Sequence, residues 1–411
     1  MNMRRHLRFS RFCLVPAAVL AAATGFAAPA PDPAVTQVAA ANTAFAVDLY
    51  RQLAATPGNL FFSPYSLSRV LAMAAAGARG ATATEMGAAL HLNAPADQAA
   101  AGYAALTKTL QADAGGDLTL VTADSLWVQD QFPLLDAYRR VVQTQFGAEA
   151  RPADFVHHAE DARTAINGWV SDQTRGKIPT LIAPGMLTAD TRVVLCDAIY
   201  FLGTWDHQFE ARQTQPEPFH LSPQSAADVS MMHQTSSFRS AHAGNVGLLE
   251  LPYLGQRLSM VVILPDAIDG LPGLEQQLTE AQLRGWLAQL DSGTAVRTSV
   301  FVPRFTARDN LELASTLARL GMARAFDRKA ADFSGMAQGG AFWLSAVVHQ
   351  AFVKVDEEGT EAAAASAVIM LEAMAVQEQL PEFLVDHPFL FLIRDNATGT
   401  ILFLGRIVDP R

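Results

Sequence analysis

Cysteine is nearly missing: 411 residues contain two, Cys13 and Cys196. Zinc sites built on cysteine pairs are therefore excluded. Other catalytic signatures are also lacking. There is no Gly-x-Ser-x-Gly elbow, no His-Glu-x-x-His pair and no glycine-rich phosphate loop. An enzyme would have to rest on a triad that no local motif marks. His157-His158 is the one tandem that suggests a metal, and adjacent histidines on a polar stretch fit a solvated loop better, so no metal and no cofactor is expected. Runs of Lys and Arg are wanting after residue 11, which removes generic attraction to nucleic acid, heparin-like polyanions and anionic membranes. Linkers and repeats are absent beyond residue 40. Half of the residues are hydrophobic and 17% are charged, so disorder is excluded.

What is present begins with an ordered leader. Arg4, Arg5, Arg8 and Arg11 precede the apolar run 12–23, and small residues follow to Ala30. That order marks a secretory signal peptide over 1–28, with cleavage near 27–30. The run is shorter than the ~20 residues that span a bilayer, so a retained anchor is not expected. Removal of the leader leaves 26 basic residues against 40 acidic ones and takes the formal charge from −10 to −14. It also removes Cys13, so the mature chain has no internal disulfide. Cys196 lies in the apolar run Val193-Val-Leu-Cys196 and reads as a buried structural thiol. A secreted or periplasmic protein is expected, and the short Arg-rich leader without disulfides points to a bacterium. The segment as far as Thr36 reads as a loose tail.

Helical and strand periods alternate irregularly after that. Residues 42–54 carry apolar positions at helical spacing. Asn59-Leu-Phe-Phe-Ser-Pro-Tyr-Ser66 reads as a short strand followed by a Ser-Pro helix start. An Ala-rich buried helix should run to about Leu90, and another helix should include 166–173 and end at Gly176. The continuous apolar run 193–201 predicts a strand buried on both faces. Residues 248–253 and 258–264 predict a hairpin; further strands are expected at 300–305, 342–352, 389–393 and 401–405. Asp395-Asn-Ala-Thr-Gly399 is a turn, which suffices to explain the glycosylation-like Asn396-Ala-Thr398. The class is α+β.

Several stretches together resemble the serpins, over about residues 40–411. They are Asn59–Ser66, Ile166-Asn-Gly-Trp-Val170 through Thr174-Arg-Gly-Lys-Ile178, Ala198-Ile-Tyr-Phe201 through Trp205, Glu250-Leu-Pro-Tyr253, Ala331-Asp-Phe-Ser-Gly335 and Asp386-His-Pro-Phe-Leu390. The resemblance implies one domain over 37–411 with three β-sheets, eight or nine helices and an exposed reactive-centre loop at about 357–381. It implies an inhibitor of serine proteases rather than an enzyme. The target protease cleaves the loop and is trapped as a covalent acyl-enzyme while the cut loop enters the main sheet as an added strand. A monomer is expected. The competing reading is a non-inhibitory carrier or binding protein on the same fold.

The resemblance also assigns residues. The hinge is Glu357, Glu358, Gly359, Thr360, Glu361, Ala362, Ala363, Ala364, Ala365 and Ser366. Read with period two, Thr360, Ala362, Ala364 and Ser366 share one face, and all are small enough to enter a packed sheet. A polar cluster of Ser63, Ser66, Asp197 and His349 would control sheet opening. Asp197 stands where the family has asparagine. Beside an imidazole it is expected to hold His349 as the cation and make opening acid-sensitive. Trp205 and the pair Arg304–Glu357 would guard loop entry, with the strand ahead of Arg304 expected beside the hinge strand. The family's spacing from Glu357 places the reactive bond at Ala373–Met374, with Met370, Leu371 and Glu372 as alternatives. No Lys or Arg lies between Lys354 and Arg394. Trypsin-like targets need a cationic side chain, so an elastase-, subtilisin- or chymotrypsin-like protease is the expected partner.

Overall fold

The computed structural model describes residues 32–112, 118–338, 342–360 and 380–411. The helices are α1 (Pro33–Leu53), α2 (Pro64–Ala75), α3 (Gly80–Ala89), α4 (Ala96–Ala112), α5 (Asp136–Phe146), α6 (Ala159–Gln173), α7 (Leu271–Gln277), α8 (Glu280–Ser292) and α9 (Ala314–Leu317). The first eight strands are β1 (Leu60–Phe62), β2 (Leu118–Gln129), β3 (Glu149–Ala153), β4 (Val193–Thr204), β5 (Gln215–Ser222), β6 (Ser225–Phe238), β7 (Ser240–Ala243) and β8 (Val246–Pro252). The remainder are β9 (Leu258–Pro265), β10 (Val296–Pro303), β11 (Phe305–Glu312), β12 (Leu344–Val355), β13 (Gly359–Thr360), β14 (Glu382–Leu384), β15 (Phe389–Asp395) and β16 (Ile401–Ile407).

Three sheets result among the described residues. The main sheet runs β11-β12-β13-β4-β2-β3, a second runs β1-β16-β15-β9-β8-β7, and a third runs β14-β10-β6-β5. Alternation explains why 193–201 is apolar without a break. Val193, Leu195, Ile199 and Phe201 join the large core shared with α2 and the second sheet. Val194, Cys196 and Ala198 face the other way, into a smaller core under α6 built with Ile166, Val170 and Leu181. Asp197 therefore points with the odd-numbered residues, toward α2. Cys196 is fully buried, and burial pushes its thiol well above the ordinary range, as a structural role requires.

Several expectations are corrected. The tail expected to be loose as far as Thr36 is helical from Pro33, with Asp32 as the N-cap accepting from Ala34 N. The Ala-rich helix is two helices that break around Gly77, where a Cβ would lie 2.1 Å from the Met336 side chain. Its second half is not buried: only Thr82 and Met86 of α3 are. Residues 300–305 are not one strand. Pro303 ends β10 in the third sheet, and Phe305 starts β11 in the main sheet, so the chain changes sheets at Arg304. The strand beside the hinge strand is β11, with Phe305 opposite Val355, and not the one that precedes Arg304.

The second sheet shows how closely the backbones approach. Gly405 of β16 sits opposite Phe61, and a Cβ there would lie 2.4 Å from the Leu60 carbonyl oxygen and 2.9 Å from the Phe391 ring. Phe61 stacks between Phe391 and Phe403 at 5.6 and 5.2 Å. Gly405→Val should push β1 off the sheet and cost at least about 1–3 kcal/mol, as overpacking does. A urea titration with an unchanged midpoint would contradict this.

Candidate functional site

The main sheet has one anomaly. β4 and β12 pair directly and in parallel from Val193–Leu344 to Tyr200–Phe352. Above that they part, and β13 fills the gap: Thr360 lies opposite Val355 on one side and Gly203 on the other, while Gly359 faces Thr204. The chain reaches the gap through a tight reversal closed by Asp356 N donating to Gly359 O at 3.0 Å. Only glycine serves at 359. Its φ is +152°, and a Cβ would lie 2.0 Å from the Gly203 carbonyl oxygen.

The sequence-predicted entry residues converge on this hairpin. The Trp205 backbone amide donates to Glu358 O at 3.0 Å, and its indole Nε1 donates to Asp356 O at 2.9 Å. The same indole stacks on Tyr253 with ring centroids 4.5 Å apart. Tyr253 in turn hydrogen-bonds through its hydroxyl to Thr360 Oγ1 at 2.8 Å, and both side chains are fully buried. Arg304 Nε donates to both carboxylate oxygens of Glu357 at 2.7 and 2.8 Å. The Thr214 hydroxyl adds a third donor, a contact the sequence did not disclose. Burial pushes the Glu357 carboxyl up, but the bonds from Arg304 and Thr214 outweigh it and hold it below the usual range. Glu358 is also held, its carbonyl taking the Trp205 amide. Hinge positions Glu361 to Ser366 and every candidate for the reactive bond (Met370, Leu371, Glu372, Ala373, Met374) lie outside the described residues. The chain rejoins the third sheet at β14, which pairs in parallel with β10. Residues 361–379 thus link two different sheets.

Below the gap lies the polar cluster, and all four predicted members meet. His349 Nδ1 is 2.9 Å from Asp197 Oδ2, across the β4–β12 pairing. The Ser66 hydroxyl donates to Asp197 Oδ1 at 2.5 Å. Ser63, the N-cap of α2, accepts from Ser66 N at 3.1 Å and donates to Leu402 O at 2.6 Å. One expectation fails here. The Ser63 backbone amide donates to His349 Nε2 at 3.0 Å, so that nitrogen must carry a lone pair. His349 is accordingly the neutral ring protonated on Nδ1, not the imidazolium that Asp197 was expected to hold.

Two members were missed. Asp124 of β2 lies opposite Asp197 in the register, and Ser66 Oγ is 3.2 Å from its Oδ1. Arg69 of α2 makes an ion pair with Asp124 and also donates to Phe146 O. Every side chain in the cluster is buried. Burial pushes the Asp124 carboxyl up, Arg69 opposes this and the Asp197 charge adds to it, for a result of about 7. The available signal was an aspartate within the strand-like Leu118–Gln129, where no charge belongs without a partner. His157 and His158 are exposed, and no group of three or more His, Cys, Asp or Glu able to hold a metal occurs among the described residues.

A central pair of parallel strands that part at one end, a hinge already started between them and a polar cluster beneath is the geometry that the motifs anticipated. The family model for serpins, serine protease inhibitors, matches residues 40–410. The chain is a member of the serpin family. Its relatives include the leukocyte elastase inhibitor of Sus scrofa, 40% identical over 385 residues, spanning 91% of this chain and all of that protein. The leukocyte elastase inhibitor of Homo sapiens is 39% identical over 382 residues, with 91% of this chain and 100% of the relative covered. Among solved structures, uncleaved ovalbumin superposes with a TM-score of 0.82 at 28% identity, covering 91% of this chain and 100% of ovalbumin. A serpin from the insect Tenebrio molitor gives 0.81 at 31% identity, with 91% and 98% covered. These sequence relatives are vertebrate proteins and lend no support to a bacterial origin.

The Arg304–Glu357 pair is partly exposed on the arginine side and contributes only about 1 kcal/mol. It ties the 356–359 reversal to Arg304, at the junction of β10 and β11. Glu357→Lys should raise the fraction of polymer after mild heating, measured by native gel. The wild-type protein should show the same loss in acid. A carboxyl held low in the folded state stabilises above its unfolded value and stops doing so as pH falls through the folded one. An unchanged monomer fraction in the variant would remove the role.

Proposed function

We propose that this serpin is an inhibitory one, a suicide substrate for elastase-like, subtilisin-like or chymotrypsin-like serine proteases. The observation that carries the reading is Gly359–Thr360, already paired on both sides between β12 and β4 and followed by Glu361-Ala-Ala-Ala-Ala-Ser366. On the face that Thr360 shares, Ala362, Ala364 and Ser366 are all small and would not stop the strand from lengthening. Relatives of nearly equal length named elastase inhibitors support the same reading.

The chemistry belongs to the target. Its serine oxygen attacks the Ala373 carbonyl, the Ala373–Met374 C–N bond breaks, and the serine proton leaves on the new Met374 amine. An ester then joins Ala373 to the protease. Water would hydrolyse it, but lengthening of β13 between β4 and β12 drags the protease away and deforms its site first. Inserted residues gain ladder hydrogen bonds on two sides, and those on the Thr360 face as far as Ser366 bury small side chains, so the driving force is folding energy withheld in the native state. The lack of Lys and Arg between Lys354 and Arg394 sets specificity against trypsin. The Arg-rich, apolar, small-residue order of residues 4–30 supports export, and we place the working protein outside the cytoplasm as a monomer.

Incubation with pancreatic elastase should give an adduct that survives boiling in detergent, while trypsin gives little. Mass spectrometry should find the first cut within 370–377. Thr360 is fully buried against Tyr253, so Thr360→Arg must either bury an unpaired charge, at a cost of several kcal/mol, or expel the hinge. Ala362→Pro removes a ladder donor. Both variants should still be cleaved but release active protease. A wild-type protein that is itself only cleaved, with no gain of heat resistance, would make this chain a non-inhibitory serpin.

A further inference from the structure

The polar cluster holds two carboxylates, Asp124 and Asp197, and one arginine, Arg69. We propose that Asp124 and Asp197, with Arg69, form a proton-linked lock on strand insertion, the carboxylate pair taking up a proton as β4 and β12 part. The inference rests on the insertion reading above, and goes on to name the residues that regulate it.

The geometry comes first. Asp124 and Asp197 are register partners on neighbouring strands and share the Ser66 hydroxyl, at 3.2 and 2.5 Å. Two buried carboxylates this close do not both ionise freely. One cation, Arg69, pairs with Asp124. Asp197 instead depends on a donor from the directly paired strand β12, the Nδ1–H of His349 at 2.9 Å. β13 separates the same two strands only higher up, at Val355 and Gly203. Neighbouring strands stand about 4.8 Å apart, so a strand inserted at this level roughly doubles the separation. His349 then cannot reach Asp197. Asp197 stays beside Asp124 with one donor fewer, and a proton is the cheapest replacement.

The surroundings leave this pair as the titrating unit. From α2, desolvation works against the Arg69 cation, but Asp124, Tyr65 and Asp197 together outweigh it and Arg69 stays charged, while burial pushes the Tyr65 hydroxyl above its ordinary range. From α4, burial does the same to Tyr103. From β12, His349 is held neutral by the Ser63 amide. On β11, Asp309 accepts from Phe61 N at 2.6 Å, and burial pushes its carboxyl up. On β3, Arg151 and Glu149 bond to each other at 2.6 Å. A cavity of about 170 Å³ lined by Arg69, Asp124, Glu149, Arg151 and Trp169 leads to the cluster, so protons reach it while the sheet is closed. Burial has already brought the Asp124 carboxyl to about 7, within the range where cells and secretions differ.

The sign follows. If the inserted state binds more protons than the native one, insertion gains as pH falls, by at most about tenfold per pH unit for one proton. Two measurements test this. Infrared titration of the intact protein should show a carboxylic acid band that disappears near neutral pH and is absent from Asp124→Asn. This readout needs neither protease nor insertion. Annealing of a synthetic peptide copying residues 361–373, followed by the gain in heat resistance, should be up to about fourfold faster at pH 6 than at pH 7.5, because the Asp124 carboxyl of the native state is already mostly protonated below 7. The slope should flatten in Asp124→Asn and in Asp197→Asn. Absence of the infrared band overturns the proposal. So does a slope that survives both asparagine variants. A protein that shows the band but takes up peptide at no pH overturns insertion itself, and the infrared result tells that failure from the others.

Discussion

The structure depends on a strand pairing that is made only for want of something better. β4 and β12 lie side by side and in parallel in the middle of the main sheet, with two residues of a potential new strand wedged above them. Parallel neighbours in a mixed sheet are a weaker arrangement than two antiparallel ladders. An inserted segment would run antiparallel to both. The native fold therefore holds back ladder bonds and burial that the same chain could make, and the rest of the molecule controls when it makes them.

Two kinds of restraint act on that pairing, and they differ in their physics. At the top the restraint is steric and hydrogen-bonded. Gly359 leaves no room for a Cβ beside the Gly203 carbonyl, Thr360 is tied to Tyr253, and Glu357 is gripped by Arg304 and Thr214. These contacts concern the first residues to move. Below, the restraint is electrostatic. His349 bridges the two strands to Asp197, and the second carboxylate and Arg69 keep the bridge in a field that depends on the proton count. Removing the charge of one partner of such a buried set leaves the other uncompensated, whereas replacing the whole set by neutral groups of similar volume does not. α6 covers the opposite face with Ala162, Ile166 and Val170, in an apolar layer that also holds Trp127, Phe155 and Leu181.

Much of this was legible early because it is local. The Ser-Pro start of α2, the doubly buried run of β4, the β8–β9 hairpin and the final β15–β16 pair come from period, caps and turns that need only neighbouring residues. β2 escaped notice because Leu118–Gln129 is only partly buried along its first half and mixes polar with apolar residues. With it went Asp124. Arg69 was hidden for another reason: in an Ala-rich helix a single arginine looks like a solvated side chain, and only contact with β2 makes it a counter-ion.

The amino-acid sequence by itself determined the serpin pattern, the small-residue hinge, the glycine at 359 and the exclusion of cationic bait, since each is a property of side-chain size, charge or backbone freedom at a known position. Tertiary structure alone decided which strands became neighbours, and so which charges met. A period of two tells which face a residue occupies but not whose face lies opposite. That is why Asp197 was assigned a cationic histidine, while the fold supplied a backbone amide from Ser63 that fixes the ring as neutral and set Asp124 beside it. Protonation is set by the donors and acceptors within about 3 Å, and those arrive from segments far apart in the chain.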